Sequence, residues 1–304
     1  MGRPVCRTID GPARFDIIYG SHVHTDPPGA MMKPVIFTDL DGTLLDSSYS
    51  FEQAGAALKR VSEDAIPLVL VTSKTRKEVE RIRERLANTD PFITENGGGI
   101  YIPRSYFPFT VKGEEMDGLV RIRLGADYGE LRRALLSIMA RSGKRVTGFG
   151  DMSVEEVQKL TGLPPEEAAL SKEREFDEPF LMEGASPEEA RGLVEAAGYS
   201  FTMGRLFHIT GPNDKGKAVE RLVSMYRALY GRVTTIGLGN GANDVPFLRK
   251  VDYPVLVMNE DGGHEDLGEI PGLVRARGAG PSGWALAIVG ILDSIRSSSE
   301  GYTC

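Results

Sequence analysis

From Lys33 onward, short continuous apolar runs alternate with longer stretches in which apolar positions recur every three to four residues. "PVIFTDL" (34–40) and "IPLVLVTS" (66–73) are too short and too evenly apolar for helices, and the second suits a strand buried on both faces. "TRKEVERIRERLAN" (75–88) places Val79, Ile82 and Leu86 on one helical face, with Thr75 and Glu78 spaced as a capping box. The same alternation returns after residue 212. "DKGKAVERLVSMYRALYG" (214–231) carries Val219, Leu222, Val223, Tyr226 and Leu229 at helical spacing, and "VTTIGLGN" and "YPVLVMN" then read as buried strands around the short helix "NDVPFLRK". Strands alternating with amphipathic helices predict an α/β fold with a mainly parallel, Rossmann-like sheet.

Residues 113–212 have another texture. They hold the strand-like "LVRIRLG", the helical "DYGELRRALLSIMARSG", a capping box at Ser153 and Glu156, and a helix start with Ser186 as N-cap and Pro187 at the first position. "YSFTMGRLFHITG" (199–211) predicts a hairpin turning at Met203-Gly204. The expected organisation is therefore a core over 32–112 and 213–304, interrupted by an α+β cap over 113–212. Residues 1–31, rich in Gly, Pro and His without a sustained period, read as a disordered extension or a mis-assigned start, with Met31 or Met32 a sensible initiator. His22 and His24 lack further ligands nearby for a metal site.

Composition narrows the function classes. The 41% hydrophobic and 26% charged content is that of a soluble globular protein, and the net charge of −7 without a dense Lys/Arg block disfavours nucleic-acid binding. The two cysteines, Cys6 and Cys304, lie near opposite ends and form no zinc-like cluster, which points to a reducing cytoplasm. No apolar run is long enough to span a bilayer, and no signal peptide is visible.

In open α/β sheets ligands bind beyond the carboxyl ends of the strands. Four such ends carry distinctive chemistry: Asp39 and Asp41 in "FTDLDGTLLD"; Thr72, Ser73 and Lys74; Lys215 at the start of a helix; and Asn240, Asn243 and Asp244 in "GLGNGAND". The Asp-Gly of the first would also suit a hairpin turn. Taken together, carboxylates, hydroxyls, one lysine and carboxamides are a kit for a phosphoryl group: carboxylates suit Mg²⁺, and hydroxyl, ammonium and N–H groups suit phosphate oxygens.

These segments resemble the four motifs of the haloacid dehalogenase superfamily of phosphohydrolases, with the insertion at the place of an α/β cap. "VTSKTRKEVE", "TENGGGIYIP", "GFGDMSVEEVQKLTGLPPEEAALSKEREFDEPF" and "NDKGKAV" are in turn similar to the mannosyl-3-phosphoglycerate phosphatase family over about residues 32–295. The resemblance implies Mg²⁺-dependent hydrolysis of mannosyl-3-phosphoglycerate to mannosylglycerate. Asp39 would be the nucleophile, Asp41 the general acid and base, Thr72 and Lys215 the phosphate ligands, and Gly42 the glycine that lets backbone turn closely round the phosphate. Metal ligands would come from Asp39, Asp41, Asn240 and Asp244. Asn240 departs from the family's usual aspartate and removes one formal charge. A glucosyl analogue as substrate, a phosphomutase and a non-catalytic sugar-phosphate sensor are the alternatives.

Lys74 and three positions further from the motifs are candidates for substrate contact. Lys74 is expected to clamp the substrate, whereas Arg76 begins a helix and reads as solvated. Arg174 suits a substrate carboxylate, or else an ion pair with Glu175 or Asp177. Glu178, with Asp151, suits sugar hydroxyls, or else a wet face. "ENGGG" lacks the strand and helix of a dinucleotide loop and reads as a turn beside the site, with Asn96 toward the ligand. His208 alternates with apolar neighbours and reads as a packed histidine.

Overall fold

The computed structural model describes residues 32–300, apart from the side chains of 298–300. The expectations for residues 1–31, His22, His24, Cys6 and Cys304 lie outside the described residues.

The core begins with β1 (Lys33–Thr38), α1 (Gly55–Glu63), β2 (Leu68–Val71), α2 (Arg76–Leu86) and β3 (Phe92–Thr94). It continues through β4 (Gly99–Pro103), β5 (Glu114–Met116) and β6 (Leu119–Arg123). Then follow α3 (Tyr128–Ser142), β7 (Val146–Gly148), α4 (Val154–Thr161), α5 (Pro165–Ser171), β8 (Asp177–Met182), α6 (Pro187–Ala196), β9 (Ser200–Met203) and β10 (Phe207–Thr210). The chain returns as α7 (Lys215–Tyr230), β11 (Val233–Gly239), α8 (Val245–Leu248), β12 (Tyr253–Met258), β13 (Val274–Ala279) and α9 (Gly280–Glu300).

Nine strands form one sheet in the order β13-β12-β11-β1-β2-β3-β4-β6-β5, parallel from β13 to β3 and antiparallel beyond. Both faces are covered, so β1 buries alternate residues on opposite sides. Ile36 joins the layer containing Trp284, Ile288 and Ile291 of α9, while Val35 and Phe37 join Ala218, Leu222 and Tyr226 of α7. Each fully buried Val, Ile, Leu or Phe among them stabilises the fold by roughly 1.5–3 kcal/mol. The helix starts follow the capping chemistry in the sequence: both capping boxes form, and Ser186 accepts from Glu189 N.

The second sheet, β7-β8-β10-β9, is antiparallel and packs α3 and α6 through Leu131, Leu135, Phe180, Val194 and Ile209. Two expectations change here. Residues 114–123, assigned to the inserted unit by their texture, form the far antiparallel edge of the large sheet, because β6 pairs with β4. The 199–211 hairpin forms, but Met203 pairs with Phe207, so Gly204–Leu206 make a three-residue connection in place of a two-residue turn.

The two sheets are tied together by polar contacts as well as by the connecting strands' ends. Thr75 Oγ1 donates to Leu170 O (2.9 Å), Arg174 Nη1 to Ser73 O (2.8 Å), and Arg81 pairs with Glu166 (2.8 Å). No helix of the described residues is long and apolar enough to cross a membrane.

Candidate active site

The parallel strands β1, β2 and β11 end side by side, and the loops leaving them bring the separated motifs together. Thr38 fixes the end of β1: its Oγ1 accepts from Trp284 Nε1 (2.9 Å) and donates to Asp39 O (2.8 Å). The next residue, Asp39, is 6% exposed and stands with Oδ1 2.7 Å from Lys215 Nζ. Lys215 is held at the first turn of α7 by the Asp214 N-cap, which accepts from Lys217 N (2.8 Å). Its ammonium also lies 2.6 Å from Asp244 Oδ1 and beneath the Phe247 ring. Burial pulls this ammonium down, but Asp244 and Asp39 outweigh it and raise it above the ordinary lysine value. Burial pushes the Asp39 carboxyl up to about 7 against the pull of Lys215, with Asp244 and Asp41 adding to the rise.

Asp41 lives in a different environment two residues on. Its side chain is 47% exposed and 3.0 Å from Lys74 Nζ, which lies over the Tyr49 ring and 3.5 Å from Glu78 Oε1. Immediately after Asp41 the chain turns sharply, and Gly42 occupies the left-handed region (φ 71°) with Asn240 so close that a Cβ would lie 2.5 Å from its Nδ2. Thr72 is fully buried, and its Oγ1 accepts from Lys74 N (3.2 Å), which leaves the hydroxyl hydrogen for an acceptor.

The oxygen atoms at the ends of β1 and β11 are the ones that could hold a metal. Thr43 Oγ1, a residue the sequence reading did not single out, lies 3.4 Å from Asp39 Oδ2 and 3.2 Å from Asn240 Oδ1. One hydroxyl hydrogen cannot serve both acceptors, so hard oxygens are left short of a donor, a set that fits Mg²⁺. Asn240 Nδ2 donates to Asn259 Oδ1 (2.9 Å), which turns the Asn240 oxygen toward Thr43 Oγ1. Asp244, expected among the ligands, has Oδ1 on Lys215 and Oδ2 accepting from Asn240 N (2.9 Å) and Gly241 N (3.0 Å). Asp41, also expected there, directs its carboxylate to Lys74. Among the described residues no cluster of three or more Asp, Glu, His or Cys side chains assembles for a metal.

Asn96 and Asn243 meet beside Lys215, with Asn243 Nδ2 3.3 Å from Asn96 Oδ1, and all three line a cavity of ≈ 160 Å³. The remaining candidates occupy other places. Arg174 makes neither of its expected ion-pair hydrogen bonds and instead donates to Ser171 O and to Ser73 O beside Thr72. Glu178 is fully buried and accepts from Arg132 Nη1 and Gly150 N (both 2.9 Å), and Asp151 pairs with the same guanidinium. Both carboxylates therefore brace the 148–151 turn, Glu178 from the interior and Asp151 from the exposed side. Arg76, read as solvated, is 9% exposed and paired with Glu80, Glu175 and Asp117. His208 is packed as expected, and its Nδ1 lies 2.7 Å from Asp177 Oδ1.

A further buried acid, Glu95, was missed. Its carboxylate accepts from Glu175 N (3.0 Å) and Phe176 N (2.7 Å), and burial pushes it up to about 8. It sits in the "TENGGG" stretch, where nothing in the sequence distinguishes it, and in the structure it takes a left-handed φ of 48°.

Comparisons with known proteins identify the family and the fold. A model of the haloacid dehalogenase-like hydrolases matches residues 36–110. A glucosyl-3-phosphoglycerate/mannosyl-3-phosphoglycerate phosphatase of Persephonella marina is 41% identical over 266 residues, 86% of this chain and 98% of that protein. A protein of the same description from Methanococcoides burtonii is 43% identical with the same coverage. Among solved structures, a phosphatase of the haloalkanoate superfamily from Bacteroides thetaiotaomicron superposes with a TM-score of 0.62 at 17% identity, covering 90% of this chain and 99% of that one.

Proposed function

The chain belongs to the glucosyl-3-phosphoglycerate/mannosyl-3-phosphoglycerate phosphatase family of haloacid dehalogenase-like hydrolases, and from that premise we propose that it hydrolyses mannosyl-3-phosphoglycerate, and its glucosyl analogue, through a phosphoryl group carried on Asp39. It is a phosphoric monoester hydrolase; the substrate, the metal and the covalent step are the proposal. The observation that carries it is the pair of aspartates two residues apart in opposite environments, one buried on Lys215 and one exposed beside Lys74.

Asp39 attacks phosphorus, so that its carboxylate oxygen gains the phosphoryl group and the ester oxygen of the glycerate leaves. Asp41 donates a proton to that leaving oxygen and then takes one from the water that releases phosphate. Lys215 offsets the repulsion between the Asp39 carboxylate and a phosphate dianion, while Thr72 and Asn243 donate to the transferring oxygens. Asp39 and Asn240 would hold Mg²⁺, which supplies positive charge to the transferring group when bound. With one carboxylate and one carboxamide, the site is weaker in charge than a pair of carboxylates. Asp41, Lys74 and the cap are the side on which the sugar and glycerate would lie, with the cap excluding bulk water.

The test is phosphate release with Mg²⁺ from mannosyl-3-phosphoglycerate, glucosyl-3-phosphoglycerate and simple sugar phosphates. A kcat/KM for the two phosphoglycerate glycosides well above that for the simple sugar phosphates supports the reading. Equal or lower values for them overturn it, and the return of phosphate to substrate without net release would mark a mutase.

A further inference from the structure

Three successive residues of one turn, Glu95, Asn96 and Gly97, have positive φ (48°, 54° and 87°). Two are not glycines, and such a conformation persists only where surroundings over-determine it. Those surroundings are the loop after β2 and the segment that leads into α7. Glu95 N donates to Lys74 O and Asn96 N to Thr72 O (both 3.0 Å), Asn213 Nδ2 donates to Asn96 O (3.1 Å), and a Cβ on Gly97 would lie 2.2 Å from Asp214 O. The turn thus fixes the Asn96 side chain between the cap and Asn243.

The direction of the hydrogen bonds along this path follows from chemistry. Asp177, fully buried at the start of β8, has Oδ1 2.7 Å from His208 Nδ1 and Oδ2 2.7 Å from Asn96 Nδ2. Burial alone would push this carboxyl up, but His208, Arg174 and Asn96 together hold it below its ordinary value, so it is an acceptor only. Asn96 must therefore turn its Nδ2 toward Asp177 and its Oδ1 toward Asn243. Asn243 must answer with Nδ2 (3.3 Å), which keeps its second N–H on the side of the cavity that Lys215 and Asn96 also line. Phosphate oxygens accept hydrogen bonds, and an amide turned the other way would offer them an oxygen.

We infer that Asp177 is a positioning residue: from the cap, through Asn96, it sets the side of Asn243 that faces the phosphoryl site. This deepens the proposed phosphatase reading and rests on it. Removing the acceptor's exclusivity frees both amides to invert. Asp177→Asn keeps the size of the side chain and an oxygen for His208, yet no longer dictates which face of Asn96 it meets. Asn96→Asp sets two carboxylates against each other. The double variant Asn96→Asp/Asp177→Asn restores the sense, since the new amide donates to the new carboxylate, whose other oxygen again accepts from Asn243.

The test measures inorganic phosphate affinity by competitive inhibition, kcat and KM on mannosyl-3-phosphoglycerate, and the thermal midpoint for wild type, both single variants and the double variant. Each single variant is expected to weaken phosphate binding roughly 10-fold, the cost of one lost charge-assisted hydrogen bond or its inversion. The double variant is expected to recover most of that loss. Single variants that lower the thermal midpoint or kcat with unchanged phosphate affinity would reduce Asp177 to a structural brace and overturn the inference, as would a double variant no better than either parent. If Asp177→Asn does not fold, Asn96→Asp and the double variant carry the same comparison. Wild-type protein that releases no phosphate from any substrate would instead overturn the proposed function.

Discussion

Lys215→Met would expose how much of this site is stability and how much is chemistry. The ammonium lies 2.7 Å from Asp39 and 2.6 Å from Asp244 with no side-chain exposure, so its removal strands two carboxylates in a water-poor interior. Methionine fills nearly the same volume, which keeps a cavity out of the comparison. Breaking a buried ion pair by deleting one partner costs about 3–5 kcal/mol, because the remaining charge loses its compensation. The cost must depend on pH in a defined sense. Asp39 already sits at about 7 with Lys215 in place, and loss of the cation raises it further. A carboxyl raised in the folded state contributes stability below its unfolded value near 4, and that contribution is lost as pH rises through the folded value. The deficit relative to wild type should therefore be small near pH 4 and reach its full size above pH 7. Urea unfolding of both proteins from pH 4 to 9, without metal, reads this directly. A deficit that stays constant with pH, or falls below about 1 kcal/mol at pH 8, would refute the placement of Lys215 between Asp39 and Asp244.

Other consequences are as specific. Glu95, pushed by burial up to about 8, stabilises the fold at low pH and loses that contribution between about 4.5 and 8; Glu95→Gln should flatten this part of the thermal-midpoint profile, and an unchanged slope would sink the assignment. Asn240→Asp adds a charge beside Asp39, and calorimetry should find Mg²⁺ binding tighter by about 10-fold, provided Asn259 turns its amide to donate. Equal or weaker binding would argue against Asn240 as a ligand. Gly42→Ala meets both a left-handed φ of 71° and Asn240 at 2.5 Å, so it should cost 1 kcal/mol or more in urea unfolding and lower kcat; neutral behaviour would contradict the geometry.

What the sequence made legible was periodic or local. Buried strands, amphipathic helices and capping boxes depend on neighbours within four residues, and Thr75/Glu78 and Ser153/Glu156 form as their spacing implies. Asp39, Thr72 and Asp244 converge because parallel strands present the same end to one side, and Lys215 joins them from the first turn of α7. Long-range pairing was not legible. Nothing local to Glu178 announced its pairing with Arg132 of α3, 46 residues away, and nothing local to Arg174 announced its bond to Ser73 O. The 114–123 strands read as cap because their composition matched it, whereas membership of a sheet is decided by pairing with β4. Thr43 and Asn259 carried no signal of their own, since a threonine in a turn and an asparagine after a strand are common.

The central claim is that Asp39 carries the phosphoryl group. Acid-quenched samples from the first turnovers of mannosyl-3-phosphoglycerate, digested and weighed by mass spectrometry, test it most directly. The account predicts one phosphoryl group on the peptide holding Asp39, present in wild type, absent in Asp39→Asn and accompanied there by loss of phosphate release. Phosphate released at the wild-type rate by Asp39→Asn, or a phosphoryl group found on another residue, would contradict it.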